Sequence, residues 1–385
     1  MIRRESASSF AIDDDLDGGA IEVVRASSPR AVELLLRPDT ASSTFMQWFH
    51  FRARGVGGLR CRYRIANAGE ATYADAFEGY RVCASHDGEA WFRVPTRFDG
   101  RALTFQHTPS EDEVRYAYFA TYPAARRARL LDRVEAAPRT RVERVGETIE
   151  GRPLDVLIIG DERPDQRRIW ITARQHPGET AAEWFAEGAL GRLLDEEDPV
   201  VAELLDRAVF YVVPCVNPDG GVLGNQRTNA AGRDLNRAWI EPDPALCPEV
   251  FLVRRAMLDA GVDLFLDIHA DERTPHCFAA GCEGNPGYGA RLDRLEDLFM
   301  DALISANQDF QREQGYDPDP PGEGDLSTAG NWVGERFDCL SLTLEMPFKD
   351  EANHPDPLQG WSPERADRLG RSALDSVLCC LDDLR

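Results

Sequence analysis

The chain has 385 residues, 43% hydrophobic and 29% charged, which suits a soluble globular protein with room for two domains and a large core. Its net charge of −23 disfavours nucleic acid as a partner. No apolar run approaches the roughly 20 residues that a membrane span needs.

Residues 1–6 are charged and have no apolar segment behind them, so they do not read as a secretory signal, and the expected location is the cytoplasm. Nine cysteines, an odd number without a CxxC pair, fit buried reduced thiols better than disulfides or a metal cluster. Residues 44–51 are aromatic and strand-like, and 59–65 alternate with period two. Residues 101–106 and 115–120 continue the pattern, with turn clusters such as Asn67-Ala68-Gly69 between. The expectation is an N-terminal antiparallel β-sandwich domain over residues 1–121.

The pattern then changes. Helices are expected over 123–136, 180–194, 248–260, 291–308 and 363–382, and strands over 154–159, 168–172, 208–213, 262–268 and 340–344. Apolar strands alternating with helices imply an α/β/α domain over 122–385 with a mixed, mostly parallel sheet. Residues 314–324, with their Asp-Pro-Asp-Pro-Pro-Gly core, read as a surface loop.

Sites in such sheets form beyond the carboxyl ends of strands. His176-Pro177-Gly178-Glu179 follows one strand, and its histidine and carboxylate three residues apart can converge on a metal ion. His269 follows a second strand and Glu345 a third. His176, Glu179 and His269 form a candidate three-ligand zinc site with one open position. His276 is a rival ligand of lower rank. Asp267 is considered as a support for His269, but strand alternation is expected to turn it to the other face. Glu345 is the candidate general base, since a carboxylate in so apolar a segment is costly to bury without a task. Between these lies the loop 225–237. Arg227 can polarise a scissile carbonyl, and Asn236 with Arg237 can grip a carboxylate.

Six motifs occur in order over residues 174–348: His176-Pro177-Gly178-Glu179, Asn217-Pro218-Asp219-Gly220, Gly224-Asn225-Gln226-Arg227, Asp234-Leu235-Asn236-Arg237, Asp267-Ile268-His269 and Thr343-Leu344-Glu345. The series resembles the zinc metallocarboxypeptidases, specifically the cytosolic carboxypeptidase branch and its bacterial members, in which a β-sandwich precedes the catalytic domain. The resemblance implies one zinc ion on His176, Glu179 and His269, with Glu345 as base and Arg227 serving the oxyanion. It implies that Asn236 and Arg237 hold the terminal carboxylate of a peptide or protein substrate. The family's mobile tyrosine would fall to Tyr316, the nearest one upstream of Glu345. Because members of the branch often release glutamate, Arg233 is the candidate cation for an acidic side chain.

Two other functions share part of this logic. One is amide hydrolysis on a small N-acyl amino acid, as in the aspartoacylase group; the other is a non-catalytic binding module. The separate β-domain and the stretch from Asn217 to Arg237 favour the peptidase, and retention of the ligands and Glu345 disfavours the module. The sequence leaves the oligomeric state open.

Overall fold

In the computed structural model, residues 10–385 are described, so the segment read as lacking a secretory signal lies outside them. The N-terminal part is two five-stranded sheets. One runs Ala11–Asp13, His50–Arg54, Glu113–Ala117, Val82–Ser85, Phe92–Val94; the other runs Glu22–Arg25, Val32–Leu35, Cys61–Ile65, Leu103–His107, Thr96–Phe98. Every pairing is antiparallel except that of Val32–Leu35 with Cys61–Ile65. Alternation drives the layering: Cys61, Tyr63 and Ile65 are buried, while Arg62 between them is exposed. Tyr63 stacks on Phe105 at 4.8 Å between ring centres and meets Tyr116 of the other sheet at 4.9 Å.

The expected strand over 44–51 forms only from His50. Ahead of it the chain is held by side chains instead of a ladder. Gln47 Oε1 accepts from the Tyr73 N–H at 3.0 Å, and the Trp48 indole donates to the Gly18 carbonyl at 2.9 Å.

The second part is a seven-stranded mixed sheet in the order Thr140–Glu147, Pro153–Ile159, Ala208–Val213, Arg167–Ala173, Leu264–Asp271, Leu340–Pro347, Phe278–Ala280. Four central strands, from Ala208–Val213 to Leu340–Pro347, are parallel, and antiparallel strands flank them. The central strands are buried almost throughout, as continuous apolar runs in a covered parallel sheet should be. Helices Ala181–Leu193 and Pro363–Cys380 cross on one side. A side chain at Gly188 would meet the Asp367 carbonyl oxygen at 2.2 Å, and one at Gly370 the Phe185 carbonyl oxygen at 2.1 Å, so the crossing is close because both positions lack one.

The two parts share one apolar core, reaching from Val32 and Phe51 to Leu344 and Leu374. Arg93 closes the junction: from the first part it donates to the carbonyls of Phe348 (2.8 Å), Gln359 (3.0 Å) and Trp361 (3.0 Å). Tyr118 stacks on Phe348 at 4.7 Å. All nine cysteines are unpaired; eight are buried, but Cys379 is exposed, against the expectation for every thiol. Among the described residues no helix is long and apolar enough to cross a membrane.

Candidate active site

His269 and Glu345 sit on adjacent parallel strands, in register, two residues before each strand ends. His176 and Glu179 come from the turn after Arg167–Ala173 and lead into helix Ala181–Leu193. That turn is fixed from below. Arg174 adopts φ 58°, a left-handed conformation costing a residue with a side chain about 1–2 kcal/mol. Its buried guanidinium offsets this by donating to the Pro177 carbonyl (2.8 Å), the Tyr122 carbonyl (3.1 Å) and the Glu183 carboxylate. Gly178 is required by close approach: a Cβ there would lie 2.5 Å from Gln226 Oε1.

The three expected zinc ligands come together. Glu179 Oε1 lies 2.7 Å from His176 Nδ1, and Oε2 lies 2.8 Å from His269 Nδ1. All three are buried, and their ligand atoms fall within 4.8 Å of one another. The far nitrogens are held by carboxylates: His176 Nε2 by Asp234 Oδ1 at 3.1 Å and His269 Nε2 by Asp267 Oδ2 at 2.8 Å. This leaves both Nδ1 atoms directed at the centre, the arrangement that metal-binding histidines use. Burial works against the charge on Glu179, yet the two histidines hold its carboxyl below the usual carboxylate range. Two imidazoles and one carboxylate, converging and braced from behind, fit a zinc ion in donor type and number.

Asp267 corrects an expectation. It does not face away from His269, because residues two apart on a strand share a face. It is wholly buried and also accepts from Thr172 Oγ1 (2.7 Å) and Gln175 Nε2 (2.6 Å). The rival His276 is elsewhere, 3.1 Å from Glu351. Among the described residues one other group has metal-like spacing, Asp309, Glu351 and His354. There the Arg365 guanidinium already binds Asp309 at 2.6 Å.

Glu345 is buried beside the centre, and its Oε2 has no hydrogen-bond partner. Burial, assisted by the Glu179 and Asp271 carboxylates and opposed by His269, pushes its carboxyl well above the usual range. Tyr316 reaches in from the exposed loop 314–324. Its hydroxyl lies 2.7 Å from Asp271 Oδ2 and 3.3 Å from Glu345 Oε1.

Arg227 lines the same cavity as Glu345, with its Nε on Asp234 Oδ2 at 2.7 Å. Asn236 is oriented by the Ala329 N–H, which donates to its Oδ1 at 2.7 Å, so the amide NH₂ remains as a donor. Arg237 is half-exposed; its Nη1 donates to the Asn236 carbonyl at 2.7 Å, and its Nε is 3.8 Å from Asp325. One cavity of about 460 Å³ is lined by His176, Glu179, His269, Glu345, Arg227, Asn236, Arg237 and Tyr316.

Arg233 is not brought to this cavity. It is exposed and outside the lining, and the idea that it receives an acidic side chain is withdrawn. Two functional neighbours went unrecognised in the sequence. Asp234 lies inside the Asp234-Leu235-Asn236-Arg237 motif and bridges His176 to Arg227. Tyr73 lines the cavity from the N-terminal part, where no motif marks it.

Comparison with known proteins gives the family. Two family models match in tandem, the cytosolic carboxypeptidase N-terminal domain over residues 12–119 and zinc carboxypeptidase over residues 128–355. The chain belongs to the zinc carboxypeptidase family, a class of metallopeptidases. The leading domain narrows this to the cytosolic carboxypeptidases. The chain is 39% identical to a Zymomonas mobilis protein over 98% of both chains. It is 28% identical to human cytosolic carboxypeptidase 6, over 82% of this chain and 67% of that one. A metallo-carboxypeptidase from Burkholderia cenocepacia superposes with a TM-score of 0.94 at 44% identity, covering 97% of this chain and 100% of the other. One from Pseudomonas aeruginosa, in complex with (2-guanidinoethylmercapto)succinic acid, gives 0.93 at 46% identity, with the same coverage.

Proposed function

We propose that the chain removes the last residue of peptides or proteins that end in a free carboxylate, using one zinc ion held by His176, Glu179 and His269. The observation that carries this reading is the single cavity joining those ligands to an unpartnered Glu345 carboxylate oxygen and to the Asn236–Arg237 donors. When bound, zinc supplies Lewis-acid activation. Glu345 takes the proton of the attacking water on its open Oε2 and passes it to the leaving amine. Arg227 directs its guanidinium at the oxygen on which negative charge develops. The Asn236 amide and Arg237 receive the terminal carboxylate, and Tyr316 closes over the bound residue from its loop. We place the domain boundary at residue 121 and the protein in the cytoplasm, in keeping with the relatives' name.

A panel of peptides varied at the C-terminus, assayed with and without a chelator, tests this reading. Chelator-sensitive release of single terminal residues is expected. Hydrolysis of small N-acyl amino acids without peptide cleavage would move the reading to the aspartoacylase-like alternative.

A preference for an acidic terminal residue remains a finer proposal, now without Arg233. Arg273 faces the cavity, but Glu283, Asp317 and Asp319 line it as well. The compound bound by the Pseudomonas relative carries both a guanidine and carboxylates, so it agrees with either preference. Competition among peptides ending in Glu, Lys, Phe and Ala separates them: fastest release of Glu supports the acidic reading, and fastest release of Lys or Phe ends it.

A further inference from the structure

The N-terminal β-domain does more than share a core with the catalytic domain. Asp39 enters the loop that carries Arg227. Its Oδ1 accepts from the Gln226 N–H (2.7 Å), and its Oδ2 accepts from the Arg227 N–H (2.8 Å), the Thr228 N–H (2.8 Å) and the Thr228 hydroxyl (3.0 Å). One carboxylate thus fixes three consecutive backbone groups across the domain junction. Tyr73 meets the same arginine at the other end, where Arg227 Nη1 donates to the phenol oxygen at 3.0 Å. Phe45, also from the β-domain, lies under the guanidinium at 5.5 Å.

Tyr73 is itself held. Its backbone N–H donates to Gln47, a fully buried residue of the β-domain. The Arg273 guanidinium lies over its ring at 4.9 Å and pairs with Asp75 at 2.8 Å. On the far side of Arg227, Asp234 takes Nε with one oxygen and His176 with the other. A continuous chain of contacts therefore runs from Tyr73 through Arg227 and Asp234 to a metal ligand.

We propose that Tyr73 is a positioning residue for Arg227, so that the hydrolytic site is incomplete without the β-domain. An arginine that serves a developing oxyanion must be pre-oriented, because reorganising it during the reaction would cost part of the stabilisation it provides. Asp234 alone fixes one edge of the guanidinium. Tyr73 fixes the second edge, and Asp39 fixes the backbone from which the side chain extends. The inference rests on the proposed role of Arg227.

The test uses the full-length, zinc-loaded protein. Tyr73→Phe keeps the ring and its stacking, and zinc content and melting temperature are expected to match wild type. kcat on a free-carboxylate peptide should fall about tenfold or more, as expected for loss of a hydrogen bond to a charged group, with KM within about twofold. In an Arg227→Gln background the same change should have almost no further effect on kcat. Unchanged kcat in Tyr73→Phe, or an equal loss with and without Arg227, overturns the proposal. Nitrogen NMR of the Arg227 guanidinium gives a reading without turnover: slow rotation about the Nε–Cζ bond in wild type, and faster rotation in Tyr73→Phe. If no peptide is cleaved but this difference appears, the peptidase reading fails while the positioning role stands. Identical rotation in the two proteins removes the positioning role.

Discussion

His269 and Glu345 are register partners across the parallel pair Leu264–Asp271 and Leu340–Pro347. Neighbouring parallel strands lie about 4.8 Å apart, and paired residues face the same side. A candidate metal ligand and the candidate base are therefore carried next to each other by the sheet, not by loops. Their separation is set by backbone hydrogen bonding between two strands that are buried almost throughout.

This arrangement predicts that Glu345→Gln keeps its structure and its zinc but loses turnover. The amide fills the same volume and removes only the proton acceptor. General acid–base catalysis contributes about 10²- to 10⁴-fold, so kcat should fall in that range while zinc content and KM hold. Steady-state kinetics with elemental analysis checks it. A kcat within a few-fold of wild type would remove Glu345 from the role of base.

The zinc site should respond to changes at two depths. His269→Ala removes a ligand and should leave the purified protein largely without zinc. Asp267→Asn keeps all three ligands but alters the group that fixes the His269 ring. Losing such a partner typically weakens metal binding about 10- to 100-fold. Titration against a competing chelator measures both. Wild-type zinc affinity in His269→Ala would void the ligand assignment, and wild-type affinity in Asp267→Asn would make the carboxylate–histidine contact incidental.

Much of this site was legible in the sequence because sheet chemistry leaves local marks. Strand Ala208–Val213 and helix Pro248–Ala260 fall where apolar runs and periodicity place them, and the ligands lie at strand ends as the parallel-sheet rule requires. What was lost depends on long-range packing. Asp39 and Arg227 are 188 residues apart, and no spacing connects an acid in a β-domain loop to a backbone turn in another domain. Arg233 illustrates the converse. Its neighbours Asp234 and Asn236 turn inward because Asp234 caps the short turn Leu235–Arg237, accepting from the Asn236 N–H, while Arg233 stays outside the cavity. Charge and proximity in sequence favoured it, and the direction of the turn decided against it.

Glu249 offers a test of electrostatics away from the candidate zinc site. It is fully buried, with Oε1 unpartnered and Oε2 accepting from Asn229 at 3.2 Å. Burial pushes its carboxyl up to about 7. A carboxyl whose folded value exceeds its unfolded value favours the folded state most below the unfolded value, near 4.3, and that contribution is lost as pH rises through about 7. Glu249→Gln cannot ionise and should escape the loss. Relative to wild type, its melting temperature should rise between pH 5 and pH 8, with most of the gain in place by pH 8. A melting difference that does not vary over this interval would show that Glu249 does not titrate there.

The exopeptidase reading stands or falls on the terminal carboxylate. Asn236 has its oxygen committed to the Ala329 N–H, so its NH₂ is the group left to donate, and Arg237 follows it on the same short turn. An amide at the substrate's C-terminus removes the charge and places an NH₂ where these donors need an acceptor. Wild type should therefore cleave a free-carboxylate peptide far faster than its amide. Truncating one member of a buried, hydrogen-bonded charge pair costs about 2–5 kcal/mol. Arg237 is half-exposed and partly engaged by Asp325, which places Arg237→Ala at the lower end. A loss of about 2 kcal/mol corresponds to roughly 30-fold in kcat/KM on the free acid. The amide, which never gained from the clamp, should change little, so the variant's discrimination between the two substrates collapses. Parallel progress curves on the two peptides measure this directly. Equal cleavage of acid and amide by wild type would mean that no carboxylate clamp operates and would turn the reading toward an amidohydrolase without exopeptidase specificity. Equal losses on both substrates in Arg237→Ala would instead assign Arg237 to the fold of the turn.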